Sequence, residues 1–282
     1  MTDYHTLAEA IYKRKSVRQY SDVSVEILES DDDLIETFEV RPLIPEIRVK
    51  VKIFRRSEIK NKRSPYLIAF YSEEKPMHLE NIGFIGQQVV LELFSRGIGT
   101  CWWGLKKLKG EFKKHAGLHC IIAMSAGIPQ DTTERVHPGD FPRKALKEIF
   151  YDSSPPPDTD GKKKEFENAV SPAVNDVIME AVRVAPSAIN YQPWFVLKID
   201  DRYDFYLRPP KGLVERIMPD MRHIDIGIAM AHFMVQAQAE GLEVSFDFMG
   251  RDIRQGRHIA GIIAKLQWQM PIIIPPIPHF FT

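Results

Sequence analysis

Cysteine is scarce in this chain of 282 residues: Cys101 and Cys120 are the only two. Two cysteines build neither a disulfide framework nor the ligand set of a structural metal site, which suits a reducing compartment. Net charge is absent as well. Lys+Arg and Asp+Glu both total 38, and a neutral chain has no electrostatic reason to hold nucleic acid or an anionic membrane. No run of 18 apolar residues occurs, so no transmembrane helix is expected. The stretch Met1-Thr2-Asp3-Tyr4-His5 is polar and lacks the apolar core of a signal peptide. These absences lead to the expectation of a cytoplasmic protein. The nine histidines form no H-E-x-x-H arrangement, so no metal site is expected. No Gly-x-Gly-x-x-Gly follows a strand, which removes the Rossmann fingerprint.

What is present is ample apolar material, 44% of residues, enough for one large or two modest cores. Residues 6–14 have a helical period, and residues 47–53 alternate strictly as a half-exposed strand. Residues 66–71 are a continuous apolar run, a buried strand. Residues 81–96 form a helix apolar on several faces, hence buried. Gly97 and Gly99 then cap it before Cys101-Trp102-Trp103-Gly104-Leu105. Residues 118–124 read as a strand, 130–142 as a loop and 145–150 as a short helix. Residues 31–36 and 55–63 look like solvated charge. Residues 151–164 hold Pro-Pro-Pro and Lys-Lys-Lys and read as a linker. Beyond it come helix 171–185, strands 194–199 and 203–208, helix 223–240, and strands 242–248 and 258–268. The proline-rich end, 271–278, suggests an extended arm.

Two stretches carry chemistry. The first helix ends in Arg14-Lys15-Ser16-Val17-Arg18. Basic residues suit any helix C-terminus, yet two guanidinium forks and a hydroxyl could also clamp a phosphate. The second is Ala185-Pro186-Ser187-Ala188-Ile189-Asn190-Tyr191-Gln192-Pro193-Trp194. Pro186 ends a helix, and Pro193 is expected to force Gln192 into an extended conformation before the strand at Trp194. The corner has little bulk and two side-chain amides, Asn190 and Gln192, able to read donors and acceptors on a planar ring. An ordinary helix-to-strand turn would look the same.

The order Pro-Ser-Ala-x-Asn-x-Gln-Pro-Trp closely resembles the flavin-contacting segment of the nitroreductase family, and Arg-x-Ser-x-Arg after a first helix resembles how such chains begin. The resemblance implies an α+β, nitroreductase-like fold of mixed sheets packed against helices. It implies FMN as cofactor, with Arg14, Ser16, Arg143 and Lys144 at the phosphate. Lys15 and Arg18 would reach the ribityl or pyrimidine edge. Trp102, Trp103, Gly104 and Leu105 would lie beside the ring, and Pro186, Ser187, Ala188, Asn190 and Gln192 would face it. It further implies NAD(P)H as co-substrate and a nitroarene- or quinone-like electron acceptor. An FMN-binding protein without turnover, or a relic that lost the cofactor, are the alternatives.

The halves also echo each other. Asn81-Ile82-Gly83 matches Asp225-Ile226-Gly227, and Gly97-Ile98 matches Gly241-Leu242; 225 − 81 and 241 − 97 both equal 144. The sequence therefore suggests two nitroreductase-like half-units, 1–150 and 169–282, joined by a linker at 151–168. Each carries complementary pieces of one site, so the expectation is a monomer acting as a pseudo-dimer.

Overall fold

A computed structural model describes residues 3–30, 33–59, 64–103, 110–131, 134–135, 142–152, 172–208, 219–248 and 262–268. Residues 153–168 of the expected linker, the proline-rich end, residues 258–261 of the last expected strand, and Gly104 and Leu105 lie outside them, while Tyr151 and Asp152, expected to open the linker, belong to a strand.

Helix α1 (Tyr4–Lys13) starts where Asp3 accepts the N–H groups of His5 and Thr6. Its apolar stripe, Leu7, Ala8, Ala10 and Ile11, is buried. Short helices α2 (Glu26–Ser30) and α3 (Leu34–Thr37) follow. The acidic stretch expected as pure surface thus contains a helical turn that sinks Leu34 into the core, with Asp33 capping it and pairing with Lys50 at 2.7 Å. Strand β1 (Val49–Arg55) runs into a helical turn, α4 (Arg56–Ile59). Then come β2 (Tyr66–Ser72), the long helix α5 (His78–Ser95), β3 (Gly99–Trp103), the two-residue β4 (Lys114–His115) and β5 (Leu118–Gly127). The first sheet has the order β1-β2-β5-β3, with β4 on β5. All seven residues of β2 are buried, because the strand is central in the sheet and covered on both faces.

Residues 142–152 cross over. Helix α6 (Leu146–Ile149) packs against helix α7 (Pro172–Arg183), and β6 (Phe150–Asp152) joins the second sheet, parallel to β7 (Trp194–Ile199). That sheet continues through β8 (Arg202–Leu207), while the long helix α8 (Pro219–Ala239) leads into β9 (Leu242–Phe248) and β10 (Ile262–Trp268). Its order is β6-β7-β8-β10-β9. Without β6, this repeats the first sheet strand for strand: two adjacent strands, a long helix, then an edge strand and the strand that inserts between them. No described helix is long and apolar enough to cross a membrane.

The two long helices meet backbone to backbone. A Cβ on Gly83 would lie 2.0 Å from the Ile224 carbonyl oxygen, and one on Gly227 would lie 2.1 Å from that of Glu80. The contact is reciprocal at the same 144-residue offset as the sequence echo, since 224 − 80 and 227 − 83 are both 144. Glycine here serves close approach. It explains why α5 is apolar on several faces: one side covers a sheet and another meets α8.

Gly83→Ala gains helix propensity but drives a methyl into a fixed carbonyl. We expect a net loss of about 2 kcal/mol or more in urea unfolding; an unchanged or raised midpoint would contradict the close contact.

Candidate functional site

The chain from Arg14 to Ser21 is strapped over the end of the first sheet. Val17 N–H donates to the Thr100 carbonyl at 2.9 Å, and Ser21 N–H donates to that of Ile128 at 2.9 Å. The strap fits closely because Gly99 has no Cβ: one placed there would sit 2.5 Å from Val17 Cγ2. Tyr20 locks it further, donating its hydroxyl to the Val17 carbonyl at 2.7 Å and lying 2.8 Å from Ser125 Oγ.

Between this strap, the end of β3, the corner at 186–189 and the start of α8 lies a cleft of about 890 Å³. Seven of the residues singled out from sequence line it: Ser16, Arg18, Trp102, Trp103, Pro186, Ser187 and Ala188. Segments about 170 residues apart in the chain thus face one space. Much of the wall is apolar, with Ile122, Ile189, Met221, Ile224 and Ile228. At its rim Arg56 pairs with Asp22 at 3.0 Å.

Trp102 is held from three sides. Its ring lies on Gly86, where a Cβ would fall 2.4 Å from Cη2, and 5.6 Å from the Phe70 ring. Its Nε1–H donates to Gln87 Oε1 at 3.4 Å. Gln87 in turn lies 2.9 Å from His232 Nε2, and His232 Nδ1 lies 2.9 Å from the Ala181 carbonyl. The carbonyl requires a proton on Nδ1, so Nε2 accepts from the Gln87 amide. Burial, aided by Arg14 and Arg143, depresses the His232 pKa to about 3; the ring is neutral.

Behind Ser16, Arg14 is buried at the C-terminal end of α1, its Nη2 3.5 Å from Ser16 Oγ. Burial, then Arg135 and Arg143, lower its pKa to about 10. Among the described residues no carboxylate pairs with it. Arg143 is similarly lowered to about 10, by burial, Arg135 and Arg183. Arg14, a buried guanidinium with other cations and, among the described residues, no acid beside it, is poised for an anion.

Four other sequence-singled residues turn elsewhere. Lys15 pairs with Asp131 at 3.2 Å. Asn190 Oδ1 accepts from Arg143 Nη1, and its Nδ2 donates to the Pro142 carbonyl at 2.6 Å. Gln192 Oε1 accepts from Lys144 N–H at 2.8 Å. Lys144 Nζ donates to the carbonyls of Tyr191 and Gln192 at 2.8 and 2.9 Å. The two amides expected at a ring edge therefore tie the crossing segment to the corner, and do not line the cleft. The corner is also more strained than expected. Gln192 has φ 51 in place of the extended conformation that Pro193 favours, and Ile189 and Asn190 have φ 48 and 62. Gln192 N–H donates to Ser187 Oγ at 2.9 Å, which with the Lys144 bonds holds the turn. The strain presents Ile189 at the cleft rim, 68% exposed.

Asp225 escapes a reading of the sequence alone. It lines the cleft, is 2% exposed, and both its oxygens lie near Ala188 N, at 3.0 and 3.2 Å. Burial raises its pKa to about 8, and the Ala188 bond opposes this only in part. The available signal is an acid inside a helix apolar on several faces, aligned with Asn81. Arg56, which the sequence presents as mere surface, also lines the cleft.

The sign of the Asp225 effect is fixed. Its folded pKa exceeds the ordinary 3.8, so its contribution is complete below about pH 4 and is lost as pH rises to about 8. His232 acts oppositely, and only below its ordinary 6.5. Between pH 6.5 and 8, wild type should lose stability relative to Asp225→Asn by at most about 1.4 kcal/mol per pH unit. Parallel pH profiles of the two proteins in denaturant unfolding would refute the buried protonated carboxyl.

A family model described as "putative TM nitroreductase" matches residues 6–237. Among solved structures, a putative nitroreductase from Thermotoga maritima is similar over 94% of this chain and 95% of its own, with a TM-score of 0.61 and 21% identity. An FMN-dependent nitroreductase from Clostridium difficile covers 50% of this chain and 96% of its own, at TM-score 0.39 and 16% identity. A nitroreductase with bound FMN from Desulfitobacterium hafniense covers 54% and 99%, at 0.41 and 13%. Among curated proteins nothing matches. The fold is nitroreductase-like, and with a family match over most of its length this chain belongs to the putative TM nitroreductase family.

Proposed function

We propose that this chain is an FMN-dependent oxidoreductase that passes reducing equivalents from NAD(P)H to a nitroarene- or quinone-like acceptor. The observation that carries the reading is one cleft walled by both the Ser16/Arg18 strap and the Pro186–Ala188 corner, with a buried, acid-free guanidinium directly behind it. The donor set suits FMN. Arg14, Ser16 and Arg143 match a phosphate, and the low-bulk corner with Trp102 and Trp103 matches a planar ring. When bound, FMN supplies the capacity to accept a hydride and hand on its electrons. The protein's part is to neutralise the phosphate, hold the ring against the corner, and keep water from its apolar faces. Both substrates would use the cleft's open side in turn.

The same reading treats the chain as a fused pseudo-dimer with one working site. The matching strand orders and the reciprocal Gly83/Gly227 contact support it. At the 144-residue offset, Trp102 corresponds to Phe246, Ile228 to Phe84 and Ser187 to Leu43. In that second corner the Phe84 and Phe246 rings pack 5.4 Å apart, Leu43 is buried, and Arg41 donates to the Val244 carbonyl at 2.8 Å. Packing of these side chains across the second corner supports one working site in place of two.

Arg14→Met removes an unpaired buried charge while keeping bulk. Without ligand the variant should unfold at higher denaturant than wild type. Its FMN affinity, followed by quenching of flavin fluorescence, should fall ~10-fold or more, the value of a charged hydrogen bond of about 1.5–3 kcal/mol. Unchanged affinity would remove Arg14 from the phosphate. Bound flavin whose visible band NADPH leaves unbleached would favour a flavin-binding protein without turnover.

A further inference from the structure

Asp225 and Asn81 occupy matching places on α8 and α5, 144 residues apart, and do the same structural work. Asn81 Oδ1 accepts the N–H groups of Leu43 and Ile44 at 2.9 and 3.0 Å. Asp225 accepts that of Ala188, the residue corresponding to Ile44. A neutral amide is therefore enough to hold such a corner. What Asp225 adds is an exchangeable proton, in the half where the cleft is open.

The surroundings keep that proton in place. Ser187, Ala188 and Ile189 of the corner carry no charge. On its own helix, Arg222 and His223 are neighbours in sequence, but His223 faces Glu80 of α5 at 2.6 Å. Across the cleft, Arg18 belongs to the strap, Cys101 to β3, and Asp22 and Arg56 pair with each other at the rim. Among the described residues none of these cations forms an ion pair with Asp225. Burial then holds the carboxyl protonated near neutral pH, the range in which a general acid works best.

We propose that Asp225 donates the proton that completes reduction of the electron acceptor in this cleft. The role rests on the oxidoreductase reading above. A quinone gains a hydride, two electrons and one proton, that originates in the reduced nicotinamide nucleotide. The negative charge this leaves on its second oxygen forms an O–H bond with the Asp225 proton as the carboxyl O–H bond breaks. Water at the cleft mouth reprotonates the carboxylate. The acceptor class that fits is an uncharged aromatic carbonyl or nitro compound, which the apolar wall admits and whose reduced oxygen needs a proton.

The test compares the full chain and Asp225→Asn, both with added FMN and NADPH, using 1,4-naphthoquinone and ferricyanide as acceptors. Ferricyanide takes electrons without a proton. The ratio of naphthoquinone to ferricyanide turnover should fall at least 10-fold in Asp225→Asn. The wild-type decline in naphthoquinone turnover as pH rises through about 8 should disappear as well. Independently of turnover, wild type without FMN should show a protonated-carboxyl infrared band near neutral pH that Asp225→Asn lacks. An unchanged ratio, or no such band, overturns the role of Asp225. Absence of FMN uptake by wild type overturns the oxidoreductase reading and this role with it; FMN uptake and reduction by NADPH with an unchanged ratio overturns this role alone.

Discussion

The crossing of α5 and α8 at Gly83 and Gly227 is the constraint on which the molecule depends. With any larger residue at either position the helix axes must separate, since a Cβ there would fall about 2 Å from backbone of the facing helix. Close approach lets each helix cover its own sheet while burying a second face against the other. It also fixes the level of Asp225, two residues before Gly227, and of Gln87 and His232, four and five residues beyond Gly83 and Gly227. Asp225 holds Ala188 in the cleft wall by accepting its N–H. Gln87 and His232 fix Trp102.

Two groups that elsewhere in a protein would seek each other out lie at this cleft, Asp225 lining it and Arg14 behind Ser16. Among the described residues, Arg14 is a buried cation with no acid, and Asp225 is a buried acid with no cation. Each raises the free energy of the folded chain by staying unpaired. Paired, they would neutralise each other and leave nothing for a ligand. The strained corner belongs to the same pattern: three non-glycine residues with left-handed φ within four positions, held there by the Arg143 and Lys144 bonds of a segment that crosses from the first half. Local cost concentrated around one space is what an anion-plus-ring site requires.

Most of the fold is legible in sequence because burial leaves a period. The long helices, β2, β5 and β7 follow from apolar spacing. The strap and the corner are legible as motifs, and they do face one cleft. What is not legible is which way their side chains turn. Asn190 and Gln192 have the chemistry to meet a ring, yet a segment 48 residues upstream of each supplies stronger partners. No local pattern encodes that docking. The crossing of residues 142–152 onto the second sheet is hidden for the same reason: a parallel edge pairing between β6 and β7 has no short-range signal. Asp225 is visible only as half of the echo with Asn81, and its meaning depends on the cleft beside it.

A single occupied site in a two-fold-like frame is the central claim, and the number of FMN molecules bound per chain tests it most directly. Isothermal titration of the full chain with FMN should saturate at one per chain, with the cleft of Ser16 and Ala188 filled and the Leu43–Phe84–Phe246 corner closed. Saturation at two per chain, or no binding, would contradict it.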